Sequence, residues 1–581
     1  MKRSIFIAGA FLAALCMADT AESDIELRHR WVYVSANMLV EKNVEELLPI
    51  LERVSKAGYT GIVLTDSKFT RWDTLPKRYH RNVSRVREAC RRLELDVNAC
   101  VMPIGYSNGL LSKDPNLASG LPVKDAPFLV RGGKLVPDDT SVKLLNGGFE
   151  SSKANRPTGW SHIDLPGKIA FIDTEIAAEG KVSLRFQDIG THSAKHGHGR
   201  ANQRMTVQPF RYYHLSASVR TKDFNTNCRV QLTALAKGRT LVYARQSVKP
   251  TQDWERLHVT FNTLDNEQIY IYLGVWGGKN GTIWWDDVRL EPAGLVNLVR
   301  REGAPFVLKS EDGETTYVEG KDYAGARDPK LGRRRWAGDF SEWHDSPSIA
   351  IPPASRLQEG DRVLISYYHT ALIHGKQAMC CMSEPKVYEI LGWQVERVKQ
   401  YVQPDGYFMS HDEIRVQGWD ESCASRNMTP GQILADNVKR CVEIIRRRDP
   451  GKPIYVWSDM FDPTHNAKDK GKYYLVAGEG PWYGSWEGLD KDVIVVNWHL
   501  FPRDRLEALK HFAGRGHRQI LAGYYDGKVE RIRDWLREAA QVEGVVGVMY
   551  TTWRRNYKDL EAFSAELDRV ASKGGRKKEF P

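Results

Sequence analysis

The sequence predicts an α/β fold: a (β/α)8 TIM barrel, interrupted after its third strand by a β-sandwich (jelly-roll) domain and a small β element. At both ends of the chain, short apolar runs alternate with segments of helical periodicity, which is typical of parallel strands joined by helical crossovers. Between about residues 106 and 375, turns rich in Gly, Pro and Asn separate alternating strands. Three strands before this region and five after it give the eight of a barrel.

The first part of the barrel is expected over residues 24–105. A helix over 44–57 places Leu47, Leu51 and Val54 on one face, and Gly58 ends it. A second helix follows over 83–93. The strands of this part are predicted at residues 31–36, 61–66 and 96–101.

The inserted β region is expected over residues 106–375, and motifs within it mark a sandwich at about 142–293. The chain reads N-G-G-F-E at 146–150, S-L-R-F at 183–186 and D-D-V at 286–288. These motifs resemble the galactose-binding-like carbohydrate-binding modules, which implies a jelly-roll that contacts sugar. A smaller β element follows, up to a strand-like run at 363–368, which we assign to the insertion because it follows β-type sequence rather than a helix.

The second part of the barrel is expected over residues 376–572. It opens with a helix over 386–402, and helical segments separate most of the later strands. The helices are predicted at 430–448, 503–513, 528–540 and 560–570. The strands are predicted at 406–410, 454–457, 493–497, 519–523 and 545–550.

The two ends of the chain are predicted to lie outside the folded domains. Residues 1–23 have the character of a signal peptide, because Lys2 and Arg3 precede an apolar stretch too short to span a bilayer. Residues 573–581 form a basic tail. We therefore expect a periplasmic or extracellular protein without a stable membrane anchor.

Composition excludes several classes of function. The net charge is +11, from 84 Lys and Arg against 73 Asp and Glu, and the basic residues form only short runs, so no nucleic-acid partner is expected. The cysteines show no CxxC spacing, so we expect neither a metal nor a cofactor. The 17 Trp residues favour a protein that stacks on flat apolar faces such as those of sugars. The oligomeric state stays open.

Carboxylates and aromatic side chains concentrate where the predicted barrel strands end. Because the carboxyl ends of barrel strands form one rim, these side chains are expected to surround a single site. Acidic groups among aromatic walls are typical of a glycosidase, and the expected ligand is an oligosaccharide or polysaccharide. The candidate site residues are Asp66, His411, Asp412, Glu413, Trp457, Asp459, Trp498, Tyr525 and Trp553.

The adjacent pair Asp412 and Glu413 is the main catalytic candidate. Their proximity is expected to raise one carboxyl pKa, which helps one residue to keep a proton near neutral pH. The alternative is a solvated pair with His411 packed beneath it. Arg415 is a further candidate: it either binds an acidic substituent of the substrate or forms a structural ion pair with a carboxylate.

The barrel frame with Asp412 and Glu413 after strand four resembles glycoside hydrolase family 20, whose members cleave N-acetylhexosamines with the help of the substrate's own 2-acetamido group. The resemblance implies that Glu413 is the general acid/base and that Asp412 orients the acetamido group. It also implies that Trp553 walls the acetamido pocket, with Trp498 and Tyr525 as further candidates.

Two other interpretations stay open at this point. In the first, a two-carboxylate retaining glycosidase uses Glu413 as the acid and Asp459 or Asp526 as the nucleophile, about 5–5.5 Å apart. In the second, the barrel binds sugar without turning it over. An internal salt bridge of Glu413 away from Trp553 would favour this second interpretation.

Overall fold

A computed structural model of the protein describes residues 26–499 and 501–574. The predicted signal peptide and most of the predicted basic tail lie outside these residues. Within the described part of the chain, no helix combines the length and the apolar character needed to cross a bilayer.

Eight parallel strands close into a barrel, which confirms this part of the predicted fold. The third strand pairs directly with the fourth, with Asn98 opposite Gly406, and the first pairs with the eighth, with His29 opposite Gly547. The barrel strands are β1 His29–Ser35, β2 Gly61–Thr65, β3 Asp96–Val101, β4 Gly406–Met409, β5 Ile454–Trp457, β6 Ile494–Asn497, β7 Gln519–Tyr524 and β8 Val545–Thr551.

Amphipathic helices connect most of these strands. In the first helix the buried residues Val44, Leu47, Leu51 and Val54 recur at helical spacing, as the sequence predicts. The fourth begins at a capping box in which Thr429 bonds the N–H of Gln432. The helices are α1 Glu41–Lys56, α2 Lys77–Arg92, α3 Pro385–Tyr401, α4 Pro430–Arg448, α5 Arg505–Ala513, α6 Ile532–Ala539 and α7 Leu560–Gly574.

Between β3 and β4 the chain forms two five-stranded antiparallel sheets whose buried side chains share one apolar core, as in a β-sandwich. One sheet contains Gln252–Asn262, Tyr212–Lys222, Thr282–Pro292, Ser183–Phe186 and Ala170–Asp173. The other contains Arg239–Thr240, Arg229–Ala236, Gln268–Trp276, Gly199–Thr206 and His162–Ile163.

A third sheet has its own smaller core. Its strand Arg362–His369 includes the run that the sequence analysis assigns to the insertion, and this strand pairs with Leu121–Arg131 rather than with the barrel. The other strands are Leu298–Val299, Lys134–Pro137, Val307–Ser310 and Ile349–Ala350. The exact domain limits drawn from the sequence stay predictions.

Candidate active site

A cavity of about 700 Å³ opens at the carboxyl ends of the barrel strands. A volume of this size is ordinary for a small-molecule site. Its wall combines acidic and aromatic side chains from widely separated parts of the chain. Seven of the ten predicted site residues line it: Asp66, Asp412, Glu413, Trp457, Trp498, Tyr525 and Trp553.

Glu413 has two side-chain partners at the cavity wall. The guanidinium of Arg415 lies 2.6 Å from its Oε2, and the hydroxyl of Tyr106 donates to the same oxygen. Its backbone has a φ of +51°, in the left-handed region that a non-glycine residue rarely adopts. Contacts of this kind hold the Glu413 side chain in one orientation at the cavity wall.

Asp412 lies beside Glu413 in a more enclosed position. The Ser410 hydroxyl donates to its Oδ1 at 2.8 Å. Burial, and then repulsion from Glu413, raises the pKa of Asp412 to about 6. A Cβ atom on Gly105 would stand 1.8 Å from the Asp412 carbonyl oxygen, so this close backbone approach requires glycine. Asp412 is thus the member of the pair that has the raised carboxyl pKa expected from the sequence.

Arg415 does not line the cavity. Its guanidinium is buried behind Glu413, donates to the Gln377 side chain and lies over the ring of Tyr474. Gln377 in turn donates to the Gly105 carbonyl at 2.7 Å. Of the two roles considered from the sequence, the structure shows the ion pair, because the two residues stand on one short turn that brings their charges together.

Asp459 also lies outside the cavity wall. It is fully buried and accepts hydrogen bonds from the Glu413 N–H at 3.0 Å, the Trp498 indole at 3.2 Å and the Asn466 amide at 2.9 Å. Burial, followed by the charge of Asp412, raises its pKa well above the ordinary range. Asp459 therefore supports two wall residues from behind.

His411 is the third predicted residue that does not line the cavity. Its ring is buried, and Nε2 lies 3.0 Å from the Asn437 side-chain oxygen. Burial lowers its pKa to about 4, so the ring is neutral at pH 7. Because successive residues at the end of β4 point in different directions, His411 packs inward while Asp412 faces the cavity.

Aromatic rings form the rest of the wall. Trp457 and Trp553 lie 5.9 Å apart between ring centroids, and Tyr525 stacks on Trp498 at 6.0 Å. Trp553 is 50% exposed, so its ring is open to a ligand. The buried Tyr525 hydroxyl has no hydrogen-bond partner among the residues that the structure describes. A ligand in the cavity can therefore meet both apolar faces and a free hydroxyl.

Two further carboxylates hold the loops around the cavity. Asp66 accepts from the Met38 N–H at 2.9 Å and from the Lys68 ammonium at 3.1 Å, so its side chain is already occupied. Asp526 does not line the cavity and accepts from the Trp553 N–H at 2.9 Å. The sequence-based list of site residues misses the lining residues Tyr33 and Tyr106. Tyr33 lies inside β1, and Tyr106 comes five residues after the end of β3, so neither stands directly after a strand end.

Among the residues that the structure describes, two groups of side chains outside the cavity have a composition that suits a metal ion. Asp462, His465 and His499 form one of them, beside β5 and β6. Here His499 Nδ1 accepts from the Phe501 N–H at 3.2 Å, and Nε2 lies 3.3 Å from the Thr464 hydroxyl. Both ring nitrogens of His499 are thus engaged, which favours a loop held by hydrogen bonds over a metal site. The second group is Cys381, Asp420 and Cys423.

Sequence comparison identifies one part of the chain. A family model described as a carbohydrate binding domain matches residues 142–282, within the sandwich predicted at 142–293. No curated protein matches the chain. The protein thus joins a closed parallel barrel to a carbohydrate-binding domain.

Several solved structures are similar to parts of the chain. The carbohydrate-binding module TmCBM61, solved with β-1,4-galactotriose, is 15% identical over 26% of this chain and 97% of its own, with a TM-score of 0.20. A rhamnosidase from Novosphingobium sp. PP1Y is 10% identical over 96% of this chain and 59% of its own, with a TM-score of 0.32. A Flavobacterium johnsoniae chitobiase is 14% identical over 35% of this chain and 33% of its own, with a TM-score of 0.23.

Proposed function

We propose that the protein is an exported glycoside hydrolase that cleaves β-linked sugars, with N-acetylhexosamine glycans as its substrates. One observation carries the proposal: Asp412 and Glu413 share a cavity with Trp457, Trp498 and Trp553. Paired acids among stacking aromatic rings suit the cleavage of a glycosidic bond. The carbohydrate-binding domain of the same chain supports a glycan as the substrate.

In the proposed reaction, the acetamido oxygen of the substrate attacks the anomeric carbon while Glu413 protonates the leaving oxygen. Water then opens the cyclic intermediate, and Glu413 takes its proton. Asp412 orients the acetamido group. The cycle starts with a proton on Glu413, which passes to the leaving oxygen in the first step and is recovered from water in the second.

Hydrolysis of chromogenic glycosides tests this proposal. We expect release of 4-nitrophenol from the 2-acetamido-2-deoxy-β-D-glucoside or β-D-galactoside, and little from the matched 2-hydroxy sugars. Asp412→Asn should lower turnover of the acetamido substrates by about 100-fold or more, since the attacking group loses its orientation. Equal turnover of both sugar types would contradict substrate assistance, although the protein would still be a glycosidase.

The two-carboxylate alternative has less support from the geometry. Asp459 is enclosed behind the wall, and Asp526 is engaged by the backbone of Trp553. Neither carboxylate lines the cavity. A nucleophile requires an oxygen facing the anomeric carbon.

A non-catalytic sugar-binding barrel is the second candidate, and the ion pair between Arg415 and Glu413 favours it. This ion pair does not remove Glu413 from the site, since Glu413 still lines the cavity together with Trp553. Tight binding of a chitin oligosaccharide, measured by calorimetry, without hydrolysis over days would support this candidate against the hydrolase.

A further inference from the structure

Two buried thiols meet outside the cavity. Cys381 lies on the segment that leads into α3, and Cys423 lies on the short helix Glu421–Ala424. Their sulfur atoms are 3.5 Å apart, although the residues are separated by 42 positions in the sequence. Both side chains are buried, and both are free thiols here.

A metal ion is not the best occupant of this cluster, although Asp420 completes a set of three ligand types. One Asp420 oxygen accepts from the Arg301 guanidinium at 2.6 Å and from the Gly120 N–H at 3.1 Å. The other accepts from the Cys423 N–H at 3.2 Å. The carboxylate is therefore already neutralised by a cation of the protein.

We propose that Cys381 and Cys423 form a disulfide bond in the exported protein. Their sulfur atoms need to approach from 3.5 Å to the S–S bond length of about 2.05 Å. The oxidant is a thiol oxidoreductase that carries a reactive disulfide, a class found in oxidising compartments. The two protein thiols become one disulfide, while the oxidoreductase takes up two electrons and two protons and becomes a dithiol.

The bond forms before the protein has finished folding. Thiol–disulfide exchange needs a thiolate. In the folded chain, burial raises the pKa of Cys381 well above the usual thiol range, and the neighbouring Cys423 raises it further. The buried pair is therefore slow to react, and once formed the disulfide is equally protected from reduction.

This disulfide would join the two segments that support Glu413. Gln377, which accepts from Arg415, lies four residues before Cys381. On the other segment, Gln417 follows Arg415 and donates to the Cys423 sulfur at 3.1 Å. The inference rests on the proposed export and not on the proposed catalysis.

Peptide mapping of the full-length chain tests the inference. The protein is refolded with reduced and oxidised glutathione, blocked with N-ethylmaleimide in denaturant and digested with trypsin. Trypsin yields residues 377–386 and 416–426. We expect these as one cross-linked species that separates on reduction. Because 377–386 also contains Cys380, Cys380→Ser should keep the cross-link and Cys381→Ser should lose it.

The inference fails if wild-type protein yields both peptides fully labelled with N-ethylmaleimide, or if the cross-link persists in Cys381→Ser. It also fails if elemental analysis finds one zinc or copper ion per chain bound by the two thiolates. Wild-type protein that is reduced in denaturant and refolded without oxidant should have a lower melting midpoint than the oxidised wild type. The melting midpoint of the double variant Cys381→Ser/Cys423→Ser should not change on the same treatment. None of these readouts uses activity, so a failed glycosidase assay leaves the test intact.

Discussion

Replacing Asp412 by Asn should stabilise the protein while impairing its site. Burial and the charge of Glu413 raise the pKa of Asp412 from 3.8 to about 6. A raised carboxyl pKa means that the folded state binds more protons than the unfolded chain between these two values, so stability falls as pH rises through this window. At about 1.4 kcal/mol per pKa unit, the penalty above pH 7 is about 3 kcal/mol.

Asn carries no charge at any pH, and it can still accept from the Ser410 hydroxyl. We therefore expect the melting midpoint of Asp412→Asn to exceed that of the wild type by roughly 2–3 °C at pH 8, because the unfolding entropy of a chain of 581 residues is about 1.2 kcal/mol per K. The difference should shrink as the pH falls and be small at pH 4, where Asp412 is protonated in the folded state and nearly half protonated in the unfolded state. Thermal unfolding followed by circular dichroism at both pH values measures it.

Asp253→Asn is a matched control, since the Asp253 side chain is 83% exposed and its substitution should not produce a difference of this size between the two pH values. The reasoning is refuted if Asp412→Asn is less stable than the wild type at pH 8. It is equally refuted if the variant gains the same stability at pH 4 and pH 8.

Two further substitutions test the shape of the site. Gly105→Ala places a methyl group 1.8 Å from the Asp412 carbonyl oxygen and should reduce kcat about 100-fold. Gly148→Ala is the control, since its added methyl group has its nearest neighbouring atom at 3.8 Å and should leave kcat unchanged. Equal effects of the two substitutions in steady-state assays would contradict this expectation. Trp553→Ala removes an exposed stacking surface and should raise KM about tenfold with little change in kcat. Trp336 is 53% exposed but lies outside the cavity, so Trp336→Ala should change neither constant. An unchanged KM in Trp553→Ala would exclude stacking on that ring.

The barrel was predictable because buried parallel strands are short apolar runs that contrast with the helices between them. The third strand, Asp96–Val101, matches its prediction at both ends, and Ile454–Trp457 does the same. The motifs of the sandwich were equally informative, since the matched carbohydrate-binding domain begins at residue 142, the predicted start. In both cases local sequence carries the signal.

Side-chain direction at the strand ends was less predictable. Asp459 follows Trp457 by two positions, yet only Trp457 faces the cavity, because a turn of helix after β5 buries Asp459. Arg415 forms its ion pair with Glu413 because Glu413 itself has a left-handed backbone conformation. Residue spacing alone does not indicate such a conformation. Tyr106 reaches Glu413 only because the insertion begins beside β4 in space. Such contacts depend on the tertiary arrangement of loops.

The dependence of the Glu413→Gln variant on leaving-group acidity tests whether Glu413 is the general acid. A general acid matters most for a poor leaving group and little for one that departs as a stable anion. For N-acetyl-β-glucosaminides, we expect Glu413→Gln to lose about 1,000-fold in kcat/KM with a sugar leaving group and far less with 2,4-dinitrophenol. Equal losses on both substrates, or full turnover of the sugar substrate by a folded variant, would contradict it.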